Sequence, residues 1–194
     1  MGKRLIIWAI VAASLLAISG CASSGKSKVT IPINDSVSFA FLTEKELIHQ
    51  FGGDLSRNPF IPPNGTFFHK SWDFIIAKLT VESTSEADFE ITSTSIVNQA
   101  GKTKAWLYDR ATFAKYVAQI SADNQSAQER VRIVDWHLVP SDRFHVKPGT
   151  HEYIMAFMGK HPVPEDLTAT IRVFLGDKEY DFNDVEVPAQ ADQE

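Results

Sequence analysis

The chain has 194 residues and a formal net charge of −5, with 44% apolar and 22% charged side chains. This composition excludes wholesale disorder, and an acidic balance without any cluster of Lys or Arg argues against nucleic acid as a partner. The single cysteine excludes an internal disulfide and a thiolate-built zinc site, so buried apolar surface has to hold the fold together.

The N-terminus opens with Met1-Gly2-Lys3-Arg4, and Leu5 to Ile18 follows without a charge. A helix needs about 20 apolar residues to cross a bilayer. This run falls short of that and suits the core of a signal peptide. Next comes Ile18-Ser19-Gly20-Cys21: an aliphatic residue, two small ones, then a nucleophilic thiol. The stretch resembles the bacterial lipoprotein signal, the lipobox, at all four positions. The resemblance implies cleavage between Gly20 and Cys21 and a diacylglyceryl thioether on Cys21. With each buried methylene contributing about 0.8 kcal/mol, several acyl chains would tie the protein firmly to a membrane. Ala22 and Ser23 follow in place of Asp, which under the enterobacterial sorting rule implies the outer membrane. Myristoylation is excluded, because Ile6 stands where Ser or Thr would be required.

The expected organisation is a leader over residues 1–20, a lipidated tether over 21–28, a single domain over 29–188 and a frayed tail over 189–194. Alternation predicts strands over Val29–Ile33 and Val37–Phe41. Thr43-Glu44-Lys45-Glu46 is a capping box that starts a short helix, and Gly52-Gly53 ends it. Asn58-Pro59, Pro62-Pro63 and Asn64-Gly65 punctuate a long loop. Trp72 to Val81 is almost continuously apolar, as in a strand buried on both faces. Strands follow over Phe89–Val97 and Lys104–Tyr108. Asp109 caps a helix reaching Ile120. Val131 and Ile133 alternate with arginines and predict a strand running through Trp136 to Val139. Tyr153 to Met158 is a further strand.

Leu167, Ala169, Ile171, Val173 and Leu175 stand in strict period two. Gly176-Asp177 then turns the chain, and Tyr180 and Phe182 return. Val185 and Val187 lie in the opposite phase, which predicts a bulge near Asn183-Asp184. Many short strands with turns between them and two short helices point to a mainly all-β fold. The expected architecture is an immunoglobulin-like antiparallel β-sandwich, although the Cys–Trp–Cys hallmark is missing.

The residues offer little catalysis. There is no Gly-x-Ser-x-Gly, no phosphate-binding glycine loop before Lys-Ser/Thr, and the one thiol is committed to lipid. No cofactor site is expected. Asp177, Glu179, Asp181, Asn183 and Asp184 form an acidic hairpin, readable as Ca²⁺ oxygens or, more economically, as a solvated edge strand. His137, His145 and His151 are the alternative, a metal site in an envelope enzyme or metal-binding protein, against the simpler reading of histidines bonded to local carbonyls. Phe60, Ile61, Phe67 and Phe68 lie on the Pro-rich loop, either tucked over a sheet edge or shown to a partner. Trp106, Tyr108, Phe113 and Tyr116 cluster around the second helix as packing. The sequence thus points to a non-enzymatic envelope lipoprotein, held to a membrane through Cys21, that serves a structural role or binds another envelope protein or an extracellular ligand.

Overall fold

The computed structural model describes residues 32–54, 56–61, 72–160 and 166–188. In chain order these form β1 (Ser36–Phe41), α1 (Glu44–Phe51), β2 (Trp72–Ser83), β3 (Ala87–Asn98) and β4 (Thr103–Leu107). Then come α2 (Arg110–Gln119), α3 (Asn124–His137), β5 (Arg143–Val146), β6 (Gly149–Lys160), β7 (Leu167–Leu175) and β8 (Lys178–Glu186). The fold is mainly β, antiparallel and sandwich-like. The strands form one sheet in the order β1-β2-β6-β4-β3-β7-β8, with β5 paired to the end of β3.

The sheet curls until its two ends meet. Phe39 of β1 lies 5.9 Å from Phe182 of β8, and the Tyr180 hydroxyl donates to the Asp35 carbonyl at 3.2 Å. The result is a near-barrel with two apolar clusters, one inside and one outside. Inside lie Ile75, Ala77, Leu79 and Val81 of β2, Met155 and Phe157 of β6, and all five period-two residues of β7. Outside, α1, α2 and α3 cover Phe74 and Ile76 of β2 and Ile154, Ala156 and Met158 of β6. This explains why Trp72–Val81 reads as continuously apolar. One face of β2 fills the barrel while the other lies under helices. Further along β2 and β6, beside α1, the outward residues turn polar, and Lys78 pairs with Glu152 at 3.4 Å.

Local chemistry sets the helix ends. The Thr43–Glu46 box forms as expected, with the Thr43 amide donating to the Glu46 carboxylate at 2.8 Å and the Glu46 amide donating to Thr43 Oγ1 at 3.4 Å. Asp109 caps α2 by accepting from the Thr112 amide at 2.9 Å. The bulge near Asn183-Asp184 is present too. The β7–β8 register shifts between Ala169 and Ile171, opposite these residues, and Asp184 takes a φ of 53°.

Three expectations require correction. Residues 131–139 are not a strand, since Asn124–His137 is helix α3; the described residues therefore hold three helices, not two short ones. The alternation of Val131 and Ile133 with arginines is a coincidence of a helix whose inward face carries Ser126, Arg130 and Val134. Only Leu138 pairs with the sheet there, in a single parallel bridge to Ile154. The strand expected over 29–33 does not include Pro32 and Ile33, and Ile33 is 94% exposed. Its first residues, like the leader and tether over residues 1–28, lie outside the described residues. The short strand β5 carries no forecast in the sequence.

Candidate functional site

The described start of the Pro-rich loop, residues 56–61, is packed against the helical layer. Phe60 and Ile61 are buried, so neither is presented to a partner as the display reading required. Asn58, itself fully buried, fixes them. Its amide donates to the carbonyls of Leu47 and Gly52, each at 3.2 Å, and its Oδ1 accepts from the Phe60 amide at 3.1 Å. One side chain thereby ties the end of α1 to the loop. Phe60 then packs between Phe51 at 4.7 Å and Phe113 at 6.0 Å, and Phe113 meets Phe74 edge-on at 5.2 Å. Phe67, Phe68, Gly20 and Cys21 lie outside the described residues.

The three histidines of the metal reading do not come together. His137, at the end of α3, sits edge-on to Phe51 at 5.2 Å. Burial, and then the charge of Arg132, hold its pKa below the usual imidazole value. His145 lies on β5 between Asp88, 3.3 Å from Nδ1, and Glu86, 3.6 Å from Nε2. Those carboxylates face opposite ring nitrogens, so one ion could not take all three groups. His151 Nε2 lies 2.8 Å from the Lys147 carbonyl oxygen. Among the described residues no three His, Cys, Asp or Glu side chains are grouped to hold a metal. In the acidic hairpin Glu179 and Asp181 are engaged, because Arg172 Nε lies 3.0 Å from Glu179 and 2.7 Å from Asp181. That pairing is what an exposed edge strand needs to stay soluble.

What remains open is the outer surface of the helical layer. Trp136 projects from α3 with 75% of its surface exposed, far above what packing would leave an indole. It borders a shallow groove of about 380 Å³ between α2 and α3. Ala118, Ala127 and Val131 form the apolar floor, and Arg132 and Asp135 stand at the rim. Arg132 is held by Glu129 through two contacts of 2.9 and 2.7 Å, which raises the guanidinium pKa further. A second groove, beneath α1, is lined by Lys45, Glu46, His49, Lys78 and Glu152. There Glu46 is occupied by the capping box, its pKa lowered by the Thr43 amide and hydroxyl, and Lys78 is paired to Glu152. The α2–α3 groove is the more suitable contact surface, with a rigid aromatic, a floor that sheds water and a charged rim.

No family model, curated protein or solved structure matches the chain.

Sequence reasoning overlooked Trp136 because it placed the residue in a strand. The signal for a helix was nonetheless present. Asp123 is an N-cap residue, and Ala127, Val131, Val134 and Leu138 follow at helical spacing. Asp123 does cap α3, accepting from the amides of Gln125 and Ser126 at 2.8 and 2.9 Å. Trp106, on the outward face of β4 opposite Met158, is 54% exposed, so the expectation of packing holds for Tyr108, Phe113 and Tyr116 better than for this tryptophan.

Proposed function

We propose that the protein is a lipid-anchored, non-catalytic component of the bacterial cell envelope that binds another envelope protein. The observation that carries the reading is Ile18-Ser19-Gly20-Cys21 closing a charged and then apolar leader. The fold supports it in one respect. Asp35, near the start of the described domain, accepts from the amide and hydroxyl of Thr84, each at 2.7 Å, so the chain is clamped to the β2–β3 turn. Cys21 stands 14 positions before Asp35, and at about 3.5 Å per residue that length of chain reaches no further than roughly 50 Å. A domain on such a tether meets its partners close to the membrane, where confinement raises the effective concentration. The exposed Trp136 and the groove beside it are the surface we assign to that contact.

Two measurements test the proposal. Growth with an alkyne analogue of palmitate labels the wild-type chain and leaves Cys21→Ser unlabelled; equal labelling of both removes the anchor. A photo-crosslinking amino acid at position 136 gives a discrete adduct with an envelope protein in intact cells, whereas the same group at exposed Asp177 does not. No adduct at 136, or identical adducts at both sites, removes the contact surface.

A further inference from the structure

Arg130 is the largest fully buried side chain in the described domain. It stands in the middle of the inward face of α3, between Ser126 and Val134, where an apolar residue would complete the seam. Its Nη2 donates to the Ile61 carbonyl at 3.2 Å. Nε and Nη1 find no acceptor, and no carboxylate pairs with the guanidinium among the described residues. Burial alone lowers its pKa to about 10, so the group is still charged at neutral pH. Buried charges elsewhere in proteins are paired, because an unpaired one forfeits its hydration without recovering it. The closed helical layer therefore carries a persistent penalty, and any motion that brings water to Arg130 relieves it.

The neighbouring contacts define what would move. The guanidinium is joined to the Asn58–Ile61 segment, and that segment is joined by Asn58 to the end of α1. Beneath them lies the outward apolar face of β2 and β6, built from Phe74, Ile76, Ile154, Ala156 and Met158. Among the described residues the sheet has no comparable defect: the buried Ser83 of β2 donates its hydroxyl to the Ser85 carbonyl at 2.6 Å.

We infer that Arg130 makes α3 a spring-loaded cover, which swings off the sheet without unfolding it and exposes the β2–β6 apolar face. Opening hydrates the guanidinium and closing strips it again, so the charge sets the balance between the two states.

Hydrogen exchange followed by mass spectrometry on the full chain in detergent tests this. Backbone amides of α3 exchange at least about tenfold faster than those of β2 and β6. Arg130→Met removes the charge with similar volume and slows α3 by about ten- to a hundredfold, leaving β2 and β6 unchanged. Gln128→Met, exposed on the same helix, leaves the α3 rate as it was. The inference is overturned if α3 exchanges no faster than the sheet. It is overturned equally if Arg130→Met leaves α3 unchanged, hastens its exchange or abolishes folding, since the charge would then stabilise the closed layer. Equal slowing by Gln128→Met also overturns it, because helix propensity would then account for the effect.

Discussion

Replacing Asn58 by Ala probes the joint on which the helical layer depends. The side chain makes three hydrogen bonds, to the Leu47 and Gly52 carbonyls and from the Phe60 amide. The first and last are buried and the Gly52 contact is part-buried, so water replaces the lost partners poorly. Each buried group left without a partner costs about 1–3 kcal/mol. Taking the low end for each, Asn58→Ala should lower stability by about 3 kcal/mol. That is a large share of the roughly 5–15 kcal/mol typical of a domain. For a domain of this size it corresponds to a fall in Tm of about 6–12 °C. The assay is urea unfolding followed by fluorescence and circular dichroism, read as a shift in midpoint at constant slope. Asn58→Asp separates hydrogen bonding from mere loss of volume. It keeps the acceptor for Phe60 but turns a carboxylate towards two carbonyl oxygens. It should be at least as damaging as Ala at pH 7, and should recover in part once the carboxyl is protonated. A change below about 0.5 kcal/mol for Asn58→Ala, the range of neutral surface substitutions, would refute the reasoning.

Phe113→Ala removes the ring shared by Phe60 and Phe74 and should cost about 3–5 kcal/mol in the same assay; a cost below 1 kcal/mol would mean the cluster is not packed as described. The carboxylates of Asp35, Asp109, Asp123 and Glu46 all have pKa values lowered by the amides and hydroxyls they accept from. Their stabilising effect is therefore fully present above the ordinary carboxylate range. Urea midpoints should decline modestly as the pH drops below about 6.5, where His137 is harder to protonate in the folded state, and then fall further through about 4 and below as these carboxylates protonate. A midpoint that rises on acidification would contradict this. Arg172 already occupies Glu179 and Asp181, so Ca²⁺ should leave the wild-type Tm unchanged by calorimetry, whereas Arg172→Ala should gain a measurable upward shift; an equal shift in both would place the ion elsewhere.

Where local chemistry alone decides structure, the residues announce it. Thr43 and Glu46 satisfy each other's backbone donors whatever the rest of the chain does. The phase change between Phe182 and Val185 can be accommodated on a sheet only by an extra residue, and Asp184 supplies it. Burial on both faces of β2 is visible as an unbroken apolar run, because that strand lies between the barrel interior and the helices. Helix α3 was obscured by its own unusual inward face. With Arg130 at the central buried position, the apolar residues Val131 and Ile133 fall beside arginines in apparent period two. The fate of Phe60 and Ile61 could not be read locally either, since it depends on Asn58 reaching back to α1. The exposure of Trp136 follows from α3 and was lost with it. Curling of the sheet depends on contacts as distant as Asp35 with Tyr180, which no local pattern encodes.

Anchoring through Cys21 underlies the proposed role, and the intact mass of the protein extracted from its native membranes measures it most directly. The expected species is a chain beginning at Cys21, heavier than the bare polypeptide by a diacylglyceryl group, with or without a further acyl chain. A chain that retains residues 1–20, starts at another residue or carries an unmodified Cys21 would contradict it.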